Sequence, residues 1–561
     1  MEKIIRVDMT RQTVLEETSS SELSLLGGRS LIDRILTNEV NPRVHPLGKG
    51  NKLIIAPGLF AATSLPNANR LSIGAKSPLT SGAKEANAGG EAALKLARLG
   101  IKALIIEGLS ESGLFILVIK KDSIMIEPAS KYSMLGNYKL CDNLREKYGD
   151  IAIISIGPCG EMRMSAASIA VSDMNGFPSR HCARGGLGAV MGAKGLKAII
   201  IDDTGGSNQK AENSVLFKKA VKEAVELIKS NPALPLLQSK GTAAFLPVCS
   251  GRGSMPTRNY SFGTFEGADR LSGEAMVEIQ KDRGGSNGHG CTPGCIVKCS
   301  NVYYNSKKEY LTSGFEYETL AMLGANLDIS DLDTVAAMDR KCDDYGLDTI
   351  DIGAALGVLT ETGHFEFGDK EKALGLIDEI GRGSTLGMIL GHGVVTTCRV
   401  FGIARVPAVK GQAIPAHDAR ALKGIGVTYA TSPQGADHTA GYVSENPLLP
   451  EGHIEISTTR QLNILFLDSC GLCYYTALGG QWPLFAQLVN GLHGVEYKDI
   501  DLIAIAHNAI GEEMDFNRKA GINEKSDQLP EFLEEEPLGP NNTVFDVSKE
   551  DLKKAIKILV N

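Results

Sequence analysis

The sequence predicts an α+β protein: a β-rich N-terminal domain of two related halves, followed by a mainly α-helical remainder. Three observations predict this. Short apolar runs rich in Ile and Val, bounded by Gly, Pro, Asn or charge, fill the first 200 residues. A glycine-led unit within that region occurs twice. Past residue 204 the apolar residues recur at helical spacing instead. A chain of 561 residues exceeds one ordinary core, so two to four domains are expected.

The strand-like runs, in order, are KIIRVDM (3–9), KLIIAP (52–57), KALIIEG (102–108), LFILVIK (114–120), IAIISIG (151–157) and KAIIID (197–202). Their unbroken apolarity predicts burial on both faces. The repeated unit is GGEAALKLARLGIKALIIEG (89–108) and GGLGAVMGAKGLKAIIIDD (185–203), whose starts lie 96 residues apart. Each reads as Gly-Gly, a short helix, then Gly-[Ile/Leu]-Lys-Ala and a strand, which predicts duplication. TGGSNQKAENS (204–214) is polar and Gly/Ser-rich, as a linker is. SVLFKKAVKEAVELIKSNP (214–232) reads as a helix with a Ser cap and a Pro stop. SDLDTVAAMDRKCDDYG (330–346) starts with a Ser cap and ends at a glycine, and DIGAALGVLTETG (351–363) reads similarly. Loops and helices alternate through the last 150 residues, and the acidic EFLEEEPLGPNN (531–542) reads as solvated surface.

Composition excludes several classes. Apolar residues at 43% and charged residues at 22% are globular values, which argues against disorder. A net charge of −8 offers no basic face for nucleic acid. MEKIIRVDMTRQ lacks the apolar core of a signal peptide, and runs such as NILFL are far too short to span a membrane. A cytoplasmic protein with no membrane partner is expected. In a reducing compartment, clustered cysteines point to metal ligands or catalytic thiols rather than disulfides.

Three of the 11 cysteines fall within nine residues: Cys291-Thr-Pro-Gly-Cys295-Ile-Val-Lys-Cys299. Zinc remains open, although its usual pairs are C-x2-4-C knuckles well apart. Three close cysteines with one remote partner suit an iron–sulfur cluster. Buried packing cysteines are the plainer alternative. Cys470 and Cys473, in Asp468-Ser-Cys-Gly-Leu-Cys473, are the best remote candidates, and the other six read as packing.

Glycine is 63 of 561 residues, about 11% against a usual share of roughly 7%, so its placement matters. Arg180-His181-Cys182-Ala183-Arg184-Gly185-Gly186 leads two arginines into a glycine loop and a helix start, a combination suited to phosphate. It is neither a Walker loop nor a dinucleotide fingerprint, and no strand is expected directly before it. Asn67, Asn69, Arg70 and Lys76 lead into Asn87-Ala88-Gly89-Gly90 in the same manner. Two such helix starts suit one ligand with two phosphates or a pair of ligands. A tight packing loop is the alternative for each, since glycine permits close backbone approach anyway.

These motifs together resemble the tungsten-containing aldehyde:ferredoxin oxidoreductase family. The likeness runs over nearly the whole chain. It takes in Arg29 in LGGRS, KLIIAPG, Arg70 with Lys76-Ser-Pro-Leu-Thr80, Asn87-Ala-Gly-Gly90 and Gly157-Pro-Cys-Gly-Glu161. It continues through ARGGLGAVMGAKGLKAI, the cysteine triplet, Glu316-Tyr-Glu318-Thr, Gly324-Ala-Asn-Leu, Asp343-Asp-Tyr-Gly346-Leu347-Asp348 and Asp468…Cys473.

The resemblance implies three domains, 1–205, 206–407 and 408–561, with the cofactor at their interface. It implies a tungsten (or molybdenum) bis-molybdopterin beside one [4Fe–4S] cluster, with Mg2+ at the pterin phosphates. Cys291, Cys295, Cys299 and Cys473 then match the cluster ligands. Two pterin motifs follow: Asp343, Gly346, Leu347, Asp348, and Asp468, Gly471, Leu472 ahead of Cys473. Carboxylates suit the N–H edge of a pterin as acceptors. Arg70 resembles an arginine between cluster and pterin, while Asn87, Gly89 and the loop of Arg180, His181, Ala183, Arg184 and Gly185 resemble the phosphate and magnesium region. Glu318 and His438 match the acid/base pair of the pocket.

Two departures stand out. The triplet here is C-x3-C-x3-C where the best-known members have C-x2-C-x3-C. Ala337 and Arg340 replace an E-x-x-H pair that binds iron between subunits, so a metal-linked homodimer is not expected. The implied reaction is aldehyde plus water to carboxylic acid, with electrons leaving for ferredoxin. Two alternatives remain: a subunit of a larger reductase complex acting on an activated acid or aromatic thioester, and a non-redox phosphate-ligand binding protein of this fold.

Overall fold

The computed structural model describes residues 2–560. Its N-terminal part holds two six-stranded sheets. The first uses β1 (Lys3–Asp8), β2 (Thr13–Thr18), β3 (Leu53–Pro57), β4 (Leu71–Lys76), β5 (Ala83–Ala88) and β6 (Ile101–Glu107). The second uses β7 (Phe115–Lys120), β8 (Ser123–Pro128), β9 (Ala152–Ser155), β10 (Ile169–Val171), β11 (Arg180–Cys182) and β12 (Leu196–Ile201).

The two sheets repeat one topology. The first runs β2-β1-β6-β3-β4-β5, and the second, read from its β8 edge, runs β8-β7-β12-β9-β10-β11. Among the described residues the parallel pairs are β1 with β6 and β7 with β12, and they occupy the same place in each sheet. The repeated Gly-Gly unit builds matching pieces: helix Ala92–Arg98 before β6, and helix Leu187–Ala193 before β12. The duplication expected from that unit is therefore present as two related halves.

One apolar core lies between the sheets and takes Ile73 and Leu104 from the first with Ile154 and Ile199 from the second. β3 and β12 are buried along their whole length, as their unbroken apolar sequences require. Each such Ile contributes about 1.5–3 kcal/mol relative to exposure. The outermost β2 and β8 are largely exposed.

The remainder is mainly helical. The helix Ser214–Lys229 is capped by Asn213, whose side chain accepts from the Leu216 amide at 3.1 Å, and not by Ser214 as the sequence suggests. Asp331 likewise displaces Ser330 as the cap of Leu332–Tyr345. Asn and Asp rank with Ser as caps, and the one whose oxygen reaches the third amide takes the position. Helix Ser214–Lys229 packs on Trp482–His493, with Phe217 and Ala220 in one core with Leu484 and Leu488. A larger core joins residues such as Leu320 and Val358 to Tyr429 and Phe545. Both helical cores thus draw on segments from either side of residue 407.

No helix among the described residues is long and apolar enough to cross a membrane. In the acidic tail, Phe532 and Leu533 are buried inside the short helix Glu531–Glu535, so that stretch is anchored rather than wholly solvated.

Candidate active site

The two sheets and the helical part meet at one deep cavity of about 670 Å³, within the size range of ligand pockets. Its wall contains Arg70, Asn87, Gly89, Arg180, His181, Ala183, Arg184, Asp343, Leu347, Asp348, Asp468 and Leu472. It also contains Cys291, Cys299, Cys473, Glu318 and His438. Four of the expected residues stand behind the wall: Gly185, Gly346, Gly471 and Cys295.

Both Asp-x-x-Gly-Leu motifs are helix ends. Helix Leu332–Tyr345 stops at Gly346 (φ 73°) and helix Ile454–Cys470 stops at Gly471 (φ 72°). In each, the leucine amide reaches back to the start of the last turn: Leu347 to the Cys342 carbonyl at 2.8 Å, Leu472 to the Leu467 carbonyl at 2.9 Å. This is the glycine-dependent C-cap, and it turns the preceding Asp toward the cavity. The glycines also permit contact. A Cβ on Gly471 would sit 2.9 Å from the Gly58 Cα, and one on Gly346 would sit 2.9 Å from the Gly157 nitrogen. Their role is to seat the helix ends, not to touch a ligand.

Each helix end docks on one half of the N-terminal domain, at matching places. The Arg70 amide, just before β4, donates to the Gly471 carbonyl at 3.0 Å. The Ser168 amide, just before β10, donates to the Gly346 carbonyl at 2.9 Å. On the neighbouring strand, Asn87 donates to Asp468 at 3.1 Å, and His181 Nε2 lies 3.1 Å from Asp343. Arg70 Nε donates to Asn87 at 2.7 Å, and Ser168 Oγ meets His181 Nδ1 at 2.8 Å. Register confirms the match, since Leu71 pairs with Ala88 and Ile169 with Cys182. The cavity therefore has two equivalent walls, each bearing one aspartate held by the strand facing it.

The walls differ where the chemistry differs. Arg70 stands where the other half has Ser168, and Cys473 occupies the motif position that Asp348 holds in the other copy. Asp348 caps the next helix and accepts from Arg184 at 3.3 Å. Arg184 also donates to the Ala436 and Ala413 carbonyls at 2.6 Å each, so protein acceptors take up much of its fork. Arg180 is the opposite case: its Nε and Nη2 are buried with no hydrogen-bond partner. The three-residue strand β11 lies directly before the Ala183–Gly186 loop, where the sequence suggested no strand; Arg-His-Cys is too short and polar to signal one.

The cysteine loop is stapled to the first half. Gly90 donates to the Cys291 carbonyl at 2.8 Å, and Thr292 Oγ1 donates to the Gly90 carbonyl at 2.8 Å. A Cβ on Gly89 would lie 2.7 Å from the Cys291 oxygen, so glycine is required there. Asn67 Nδ2 and the Lys298 amide donate to Cys295 Sγ at 3.2 and 3.3 Å. Neighbouring Cys291, with the backbone amides of Lys298, Cys291 and Val297, holds the Cys295 thiol down at about 5, against the effect of burial. Burial pushes Cys473 up and Arg70 opposes it. Among the described residues no three His, Cys, Asp or Glu side chains converge on a single-ion site. Cys470 is fully buried on the helix end, away from the cavity.

Glu318 sits between two histidines. Its Oε1 lies 3.3 Å from His417 Nε2 and 3.4 Å from His438 Nε2, and its Oε2 accepts from the Ala416 amide at 2.8 Å. Burial alone would raise this carboxyl, but His438, His417 and the amide hold it at about 2. Burial would lower His417, yet Cys249 and Glu318 on its two sides raise it to about 9. His438 is lowered, chiefly by burial. The group is thus Glu318 carboxylate with His417 imidazolium beside a neutral His438, whose Nδ1 has no partner.

His417 was not expected from the sequence. It lies in a loop, Ile-Pro-Ala-His-Asp, with no periodic or spacing signal, and only the fold brings it to Glu318. Arg29 also lines the cavity; its fork holds buried Glu513 at 2.8 Å and reaches Asp468 at 3.5 Å. Cys249, expected to be packing, lines the cavity as well.

Comparison with known proteins agrees with this geometry. Residues 4–203 match "Aldehyde ferredoxin oxidoreductase, N-terminal domain" and residues 219–558 match "Aldehyde ferredoxin oxidoreductase, domains 2 & 3". A Pyrococcus abyssi protein named "Tungsten-containing aldehyde ferredoxin oxidoreductase" is 33% identical, over 99% of this chain and 95% of its own length. A Pyrococcus furiosus protein named "Aliphatic sulfonate oxidoreductase, WOR-like subunit" is 27% identical, over 99% and 93%. Among solved structures, the active site complex BamBC of benzoyl coenzyme A reductase, in complex with 1,5-dienoyl-CoA, shares the fold. Its TM-score is 0.83 at 19% identity, covering 99% of this chain and 93% of that one. With both family segments matched across nearly its whole length, on a duplicated base whose two halves each seat one Asp-x-x-Gly-Leu helix end, the chain belongs to the aldehyde ferredoxin oxidoreductase family of oxidoreductases.

Proposed function

We propose that the chain oxidises an aldehyde to the carboxylic acid, using a tungsten or molybdenum bis-molybdopterin and passing electrons through a [4Fe–4S] cluster to ferredoxin. The observation that carries this reading is the paired cavity wall. Two equivalent aspartates, Asp343 and Asp468, face one space that has cysteines and a histidine–glutamate group in the same wall.

The donor set fits the groups proposed. Asp343 and Asp468 offer acceptors to two pterin edges, one from each half. The unpartnered N–H groups of buried Arg180 suit a phosphate or a cluster's negative charge. Cys291, Cys295, Cys299 and Cys473 would hold the cluster, with N–H···S bonds from Asn67 and Lys298 tuning it and Arg70 between cluster and pterin. When bound, the metal–pterin group supplies a two-electron acceptor.

The remaining chemistry falls to side chains. Aldehyde plus water yields acid, two electrons and two protons, so a proton acceptor is needed. Glu318 held near 2 is a weak base, whereas neutral His438 has a free ring nitrogen. His438 therefore takes the proton, and Glu318, fixed by His417 and the Ala416 amide, orients and compensates the imidazolium that forms. The rings of buried Tyr317 and half-buried Tyr442 flank His417 at centroid distances of 5.1 and 4.9 Å.

The test is anaerobic assay of the purified protein with a viologen dye across a panel of aldehydes. Aldehyde-dependent dye reduction is the expected result. A protein that carries both cofactors yet reduces no dye with any aldehyde would overturn the reading.

A further inference from the structure

Five arginines line the cavity, and four of them belong to its inner wall. Arg29 binds Glu513, Arg70 binds Asn87, Arg184 binds Asp348 and two carbonyls, and Arg180 lies among the cysteines. The fifth, Arg252, has no carboxylate partner among the described residues. It ends the helix Phe245–Arg252, whose residues Phe245, Val248, Cys249 and Arg252 all line the cavity. That spacing is one helix face. Val248 is 50% exposed on that face, unusual for a large apolar residue beside a deep cavity. The face is therefore an apolar strip with a free cation at its end.

Aromatic side chains complete this part of the cavity. Phe245 stacks with Tyr475 at 6.5 Å and 16°, and Tyr475 meets Tyr474 edge-on at 5.4 Å. Tyr442 bridges the two ends: its ring packs edge-on against His417, and its hydroxyl neighbours Arg252. The order in space is Glu318, His417, Tyr442, Arg252. About one aromatic ring separates the acid/base group from the Arg252 guanidinium, which has no carboxylate to neutralise it among the described residues.

Resting on the aldehyde-oxidising reading above, we infer that the substrate is an aldehyde with a flat apolar body and a carboxylate at its far end. The carboxylate is held by Arg252, the body lies along Tyr442 and the Phe245–Val248 strip, and the carbonyl carbon reaches Glu318 and His438. A guanidinium suits a carboxylate in two-point contact.

The test compares 4-carboxybenzaldehyde with benzaldehyde on the cofactor-loaded enzyme and its Arg252→Gln and Arg252→Lys variants. The wild type is expected to prefer 4-carboxybenzaldehyde at least about tenfold in kcat/KM, which is about 1.4 kcal/mol. Arg252→Gln removes most of that preference through KM, and Arg252→Lys retains part of it. A preference that is absent in the wild type, or intact in Arg252→Gln, overturns the inference.

A binding arm separates this inference from the reading it rests on. Calorimetric titration with 4-(hydroxymethyl)benzoate against benzyl alcohol should show the same tenfold gap in the wild type and its loss in Arg252→Gln. Should no aldehyde be oxidised, that gap still supports the carboxylate site, and its absence overturns it.

Discussion

Replacing His438 by Gln lowers kcat by about 10²–10⁴-fold, the usual value of a placed general base. Cofactor content should be retained, because no proposed ligand is altered. The pH profile carries the sharper result. His438 is lowered from its ordinary 6.5, so the wild-type rate rises with pH through a value below that. His417 titrates at about 9, so the rate falls again as its charge is lost there. In His438→Gln the acid limb disappears and the alkaline limb stays. An acid limb that survives in the variant would assign the proton elsewhere.

The same pair has a stability sign. His417 is raised on folding, so its contribution is complete below about 6.5 and is lost as pH rises through about 9. Glu318 is depressed, so its contribution is complete above about 4.5 and is lost as pH falls through about 2. Both contributions are complete between about 4.5 and 6.5.

Replacing Cys473 by Ser removes the iron–sulfur cluster, whereas replacing Cys470 by Ser spares it. Cys473 lines the cavity beside Arg70, but Cys470 ends its helix fully buried, facing the first half near Gly58 and Phe60. In Cys473→Ser the iron content falls well below about four atoms per chain and the cluster's spectroscopic signal is lost. Dye reduction by aldehyde falls at least about a hundredfold, because an electron relay is missing. Equal iron in the two variants would remove Cys473 from the ligand set.

The strands that showed in the sequence are the apolar runs rich in Ile and Val; β4 (LSIGAK), buried throughout, and β5 (AKEANA) escaped because small and polar residues interrupt them. KLIIAP and KAIIID are unbroken apolar runs because neither face of β3 or β12 meets water. β2 and β8 escaped because they are exposed edges, and β10 and β11 because three residues carry no period. The glycine motifs were visible, but their work was not: Gly471 and Gly346 shape helix ends and leave ligand contact to their aspartates.

What remained hidden is long-range. The Arg70–Gly471 contact joins residues 401 apart, and its counterpart joins Ser168 to Gly346. Composition and spacing say nothing of such pairings, which require both sheets and both helix ends in place. His417 and Cys249 were unseen for the same reason. A loop histidine and a lone cysteine look like turn and packing residues until Glu318 and the cavity are set beside them.

The central claim is that two equivalent half-sites hold two pterins on one metal. Metal, iron and pterin analysis of the anaerobically purified chain tests it directly. The account predicts about two pterins for each tungsten or molybdenum atom, with about four iron atoms per chain. One pterin per metal, or a protein with neither metal nor pterin after expression in a cofactor-producing host, would contradict it.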